Sequence, residues 1–200
     1  MPSRRYESPV RAAQREATGA RIVETAIAQI AEHGLDELTI PAVATAAGLS
    51  PATVYRHFPT LDDLLLGVLA RMRPRIGQTR ERLAGVRPDR LAALARENYA
   101  SYEEHADVLV PLMESRAFNR VRVGSEGRRA PLGAAVFRAA APGRTERELE
   151  ALAGVAYLMV GPVAWRWLRE TWGLDAEAAS RATEWAIGVL TAAIEEGDPS

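Results

Sequence analysis

The stretch from Thr39 to Phe58, TIPAVATAAGLSPATVYRHF, constrains this chain more than any other. Ile40, Val43, Ala44 and Ala47 recur at helical spacing, so one face of a short helix is apolar. Gly48 can supply a left-handed turn residue, and Ser50-Pro51 is a helix start whose hydroxyl can cap the new amides. The pattern predicts two helices joined by a tight turn. In the second helix Val54 and Phe58 lie four apart and share a buried face, leaving Ala52, Tyr55 and Arg56 outward and Thr53 and His57 toward one side. A short helix with an outward arginine, hydroxyls and a phenol suits a major groove.

The flanking sequence continues the pattern. Upstream, Arg21 to Gly34 reads as an amphipathic helix with Ile22, Val23, Ala26, Ile27 and Ile30 on one side. Downstream, Thr60 with Asp63 makes a capping-box-like start for a fourth helix carrying Leu64, Leu65 and Val68. The whole run closely resembles the DNA-binding region of TetR-family transcriptional regulators. The elements that carry the resemblance are Gly34, Leu38-Thr39-Ile40, Ala44, Ala47 to Ser50, Tyr55, His57-Phe58 and Asp63-Leu64.

The resemblance implies an all-α fold: an N-terminal three-helix helix-turn-helix unit, then a larger helical bundle for ligand binding and dimerisation. It implies a sequence-specific DNA-binding regulator, a cytoplasmic homodimer acting as a repressor released from its double-stranded operator by a small, largely apolar ligand. On the recognition helix, Pro51, Ala52, Thr53 and Arg56 are candidate base readers, the arginine through guanine and the small apolar residues through thymine methyls. Thr39, Ser50, Tyr55 and His57 are candidate phosphate positioners. One position departs from the pattern, because members of the family usually begin the fourth helix with a lysine that meets a phosphate, and Leu61 stands there. That leucine is the feature favouring the alternative, a helical ligand-binding or scaffolding dimer with lost DNA affinity.

Apolar residues make up 48% of the chain and charged ones 26%, as in a globular protein with a real core, and the net charge of −1 requires any DNA attraction to be local. All basic residues other than histidine are arginine. With no cysteine, disulfides, thiolate zinc sites and cysteine nucleophiles are excluded. No charged start followed by an apolar segment is present, so no signal peptide is expected. Residues 1–19 read as a flexible basic arm, 20–58 as the helix-turn-helix domain, 59–84 as a connecting helix and 85–197 as a regulatory and dimerisation domain. Within the connector, Arg71, Arg73 and Arg75 with Arg80 and Arg82 read as a solvated face.

In the body, Asp89 is placed to cap a helix to about Glu104, and a short element over Ala106 to Phe118 is expected to be interrupted by Pro111. A further helix is expected over Pro131 to Ala140. Thr145 and Glu148 form a capping box opening a helix expected to reach Trp172. Ala151 to Trp165 carries no charge, is too short to span a membrane, and implies burial on two sides. Leu152, Ala156, Val160, Val163 and Trp167, with Trp185, Ala186 and Val189 on the last helix, are therefore assigned to a two-fold interface. Tyr99, Tyr102, Met113, Phe118, Phe137, Tyr157, Met159 and Trp165 are core by default and candidates for lining a ligand pocket, with Glu103, His105, Glu114 or Arg116 fixing a polar end. His33, His57 and His105 lack metal-site spacing, and no nucleophile elbow, P-loop or dinucleotide fingerprint occurs. No metal, cofactor or enzymatic activity is expected.

Overall fold

The computed structural model describes residues 9–75, 88–121, 137–138 and 141–196, all in helices and their connections. The helices are α1 (Pro9–His33), α2 (Ile40–Ala46), α3 (Pro51–His57), α4 (Leu61–Arg75), α5 (Pro88–Glu104), α6 (Ala106–Glu114), α7 (Glu146–Val160), α8 (Pro162–Trp172) and α9 (Ala176–Glu196). Residues 116–121 are also helical. The fold is all-α, with a helix-turn-helix at its N-terminal end and a helical bundle beyond it.

Side-chain caps set most helix starts. Thr39 and Ser50 accept from the amides of Ala42 and Thr53, each at 3.2 Å. Thr60 and Asp63 exchange hydrogen bonds of 3.1 Å, as do Thr145 and Glu148 at 2.7 and 3.4 Å, so both expected capping boxes form. Asp175 accepts from the Ala178 amide at 2.7 Å. Several boundaries differ from expectation. The arm expected over residues 1–19 is helical from Pro9 onward, because its alanines and arginines extend α1 rather than interrupt it. Pro111 sits inside α6, which ends instead where Ser115 leaves helical geometry; its hydroxyl bonds back to the Leu112 carbonyl at 2.7 Å. Asp89 is the second residue of α5 rather than its cap. Most of the helix expected over 131–140 lies outside the described residues.

The helix expected to run from Thr145 to Trp172 is broken at Gly161, and α7 and α8 meet at 52°. Pro162 has no amide hydrogen, so the ladder fails there. The carbonyls of Met159 and Val160 then need other donors in a buried place. Tyr99 donates to Met159 O at 2.6 Å, while Asn98 Nδ2 and the Tyr102 hydroxyl donate to Val160 O at 3.0 and 3.1 Å. Asn98, Tyr99 and Tyr102 are all fully buried. Burial raises the Tyr99 pKa, keeping its hydroxyl a donor.

The principal core starts in the helix-turn-helix and continues into the body. Ile22, Ala26 and Ile30 of α1 join Val43, Val54, Leu64, Val68 and Met72, and the same cluster includes Tyr99, Tyr102, Leu112 and Trp165. The two units therefore share a core, rather than having separate ones. A second cluster, with Leu91, Ala95, Leu149, Ala153, Val160 and Ile187, lies wholly inside the body between α5, α7 and α9.

A Cβ on Gly161 would come within 2.8 Å of the Tyr157 carbonyl oxygen. Gly161→Ala is expected to destabilise the protein by about 1–3 kcal/mol, by forcing that backbone apart. Urea denaturation checks this; an unchanged midpoint would mean that the break does not depend on close approach.

Candidate nucleic-acid interface and cleft

The turn between α2 and α3 needs a left-handed residue, and Gly48 supplies it at φ 64°. Leu49 and Ala44 close the turn through a backbone bond of 2.9 Å. Val54 points inward with no exposure, and Phe58 packs half-buried against the core. This anchoring leaves Pro51, Ala52, Tyr55 and Arg56 exposed on α3, with Thr53 half-buried. Ser50 Oγ and Thr53 Oγ1 are 2.9 Å apart at the helix start, and Thr39 lies exposed at the start of α2. Leu61, the position at which the sequence departs from the family pattern, opens α4 half-buried against the core.

His57 ends α3 against α1, where a Cβ on Gly19 would lie 3.5 Å from Nδ1. Partial burial, then the positive charges of Arg56 and Arg15, hold its pKa below the ordinary histidine value. An uncharged imidazole is thus kept among arginines, a place where an anion is favoured. The α1 contribution comes from the extension beyond the expected helix start.

Elsewhere, a cleft of about 1090 Å³ opens between α4, α6, α7, α8 and α9. Of the expected pocket residues, Met113, Phe118, Tyr157 and Met159 line it. Tyr99, Tyr102 and Trp165 do not: the tyrosines serve the broken helix, and the Trp165 indole is packed against Tyr102 with Nε1 donating to Glu103 at 3.3 Å. Phe137 belongs to the second core. The expected polar anchors also lie off the lining: Glu103 pairs with Arg169, Glu114 with Arg166, His105 Nδ1 meets the Ser101 carbonyl oxygen, and Arg116 is exposed outside the cleft. The polar lining is instead Arg73, Asn119, Arg166, Glu170, Thr171 and Thr183. Sequence reasoning missed Leu69, Met72 and Arg73 because they belong to the connector; their spacing along α4 was the available signal.

Of the eight residues expected at a two-fold interface, Ala156 and Val160 are buried in the chain's own core, and Leu152 packs half-buried against it. The helix break turns their face toward α5. Val163, Trp167, Trp185 and Val189 are exposed and Ala186 is half-buried, and Val155, Leu158 and Leu190 add to the exposed apolar set. No group of metal-binding side chains occurs among the described residues, and no single described helix is long and apolar enough to cross a membrane.

Residues 22–68 match the family described as bacterial regulatory proteins, tetR family. Over those residues the chain is similar to the N-terminal unit of the tetR family. That family is one of bacterial regulatory proteins. Solved structures extend the likeness over the body. A TetR transcription regulator from Haloarcula marismortui is 20% identical with a TM-score of 0.68, covering 90% of this chain and 98% of its own. NalD of Pseudomonas aeruginosa is 21% identical with a TM-score of 0.66, covering 88% and 96%. FadR of Bacillus subtilis is 16% identical with a TM-score of 0.58, covering 84% and 96%. These similarities show that the fold of the TetR regulators extends along the chain.

The depressed His57 pKa has a consequence for stability. The unfolded chain binds a proton near pH 6.5 and the folded one only below that, so this contribution is complete above the unfolded value and is lost as pH falls through the folded one. The thermal midpoint is expected to fall between about pH 7.5 and 5.5, and to fall less in His57→Gln. Equal slopes in the two proteins would exclude His57 as the source.

Proposed function

We propose that the protein is a transcriptional repressor that binds its operator as a homodimer and leaves it when a small, largely apolar ligand occupies the cleft. The observation that carries the DNA-binding part is the outward face of α3, where Arg56 and Tyr55 are exposed over a fully buried Val54. Pro51, Ala52, Thr53 and Arg56 are the base readers of this reading; Thr39, Ser50, Tyr55 and His57 position phosphates. Residues up to 58 form the reader, α4 the connector and the remainder the regulatory unit. The fold neighbours support repression and ligand control: NalD is a secondary repressor of a multidrug efflux pump, and FadR was solved with stearoyl-CoA.

The dimer reading rests on the apolar surface of α7 to α9. Trp167, Trp185 and Val189 are 61, 74 and 50% exposed, a cost that burial against a second copy would remove. Val163, Trp167 and Ala186 also line the cleft, so a partner seated there closes its mouth.

Arg56→Ala should cost about 1–3 kcal/mol on the cognate site and relax preference at one base pair per half-site. A salt-dependent gel shift on DNA flanking the gene tests it. Equal losses on cognate and random DNA would show that Arg56 reads no base, and no salt-dependent binding at all would favour the rival scaffolding dimer, for which Leu61 speaks. Val189→Glu should convert a dimer to a monomer in sedimentation velocity and weaken operator binding, since two recognition helices spaced by one DNA turn are needed. A wild-type chain that stays monomeric at micromolar concentration would reject the dimer.

A further inference from the structure

Among the described residues, the cleft holds one charged side chain without an ion-pair partner. Its charged lining residues are Arg73, Arg166 and Glu170. Arg166 is fully engaged, donating to Glu114 at 2.6 Å and to Glu170 at 2.8 and 2.9 Å, an arrangement that raises its pKa. On the connector, Arg71 and Arg75 flank Arg73 in sequence, and both bind Glu24 of α1, at 2.5 Å and at 2.7 and 2.8 Å. Glu24 is thereby held well in its charged form, its pKa lowered first by Arg75 and then by Arg71. Arg73 is half-buried and has no acidic partner among the described residues.

We propose that the cleft takes a single-headed amphiphilic anion, an aliphatic carboxylic acid whose carboxylate pairs with Arg73 while its chain lies along Met72, Leu109, Met113, Phe118 and Tyr157. This deepens, and rests on, the reading of the cleft as a ligand site. A neutral apolar ligand covers Arg73 without answering its charge, and a cationic one is repelled, whereas a carboxylate offers the two acceptor oxygens that a guanidinium fork fits. The cleft is large enough, since small-molecule sites span roughly 300–1,000 Å³.

The position of Arg73 also says where such a ligand would act. The same turn of α4 is held to α1 through Glu24 and to α5 through Ser101, whose hydroxyl donates to the Arg75 carbonyl at 2.8 Å. An anion at Arg73 therefore bonds to the segment that joins the helix-turn-helix to the body, where a preference for one connector position becomes coupling to DNA.

The test is calorimetric titration of the full chain, wild type and Arg73→Gln, with decanoate, decanol and decyltrimethylammonium chloride below their micelle thresholds. Decanoate is expected to bind about tenfold or more tighter than decanol to the wild type. Arg73→Gln should abolish that preference while leaving decanol affinity within about twofold, which also shows that the variant folds. Decanol or the ammonium binding as tightly as decanoate, or a preference that survives Arg73→Gln, overturns the anion proposal and leaves the ligand site standing. If none of the three binds, both the anion proposal and the ligand reading fail.

Discussion

Buried backbone carbonyls must find donors, and at Met159 and Val160 this requirement organises the body of the molecule. Pro162 ends the helical ladder at the bend, and the carbonyl oxygens of Met159 and Val160 are met there by Asn98, Tyr99 and Tyr102 of α5. Those three side chains fix the height and rotation of α5 against α7. The bend in turn directs α8 away from the line of α7, placing Trp165 in the core and Trp167 outside it. The cleft lies where the two helices diverge.

The second organising device is the connector. α4 contributes Leu64, Leu65, Val68, Leu69 and Met72 to the shared core, so it is packed rather than slung between units. Its last turns carry a forked ion pair to α1 and a hydrogen bond from α5. Exposed ion pairs of this kind add little stability singly. Their value is geometric: the angle between the reader and the body is set by a few polar contacts over a continuous apolar base, an arrangement in which a small change at one end can reorient the other.

Local chemistry made the N-terminal third readable in the sequence. Thr39, Ser50 and Thr60 cap helices through bonds to residues three places away, and Gly48 satisfies a backbone need of its own position. The body was less legible because its outcomes depend on partners distant in sequence. Gly161-Pro162 was visible, yet the decision to break there rests on donors some sixty residues earlier. The spacing of Tyr99 and Tyr102 makes them core by default and candidates for a pocket, because nothing in it shows the carbonyls that their hydroxyls serve. Ala156 and Val160 were placed outside for the same reason, since the uncharged run allowed two buried faces without saying which one the chain covers itself. Arg73 shared a pattern with Arg71 and Arg75, and only the position of Glu24 separates the bound pair from the residue between them.

The four tryptophans divide sharply by environment. Trp165 is wholly enclosed, while Trp167, Trp172 and Trp185 stand 61, 68 and 74% exposed. Indole emission shifts to longer wavelength in water, so the folded single chain carries one blue emitter in its core and three red ones on its surface. Loss of the buried signal follows unfolding, and any event that covers the surface three moves their light the other way. The molecule thus separates denaturation from association in its own spectrum, without a label.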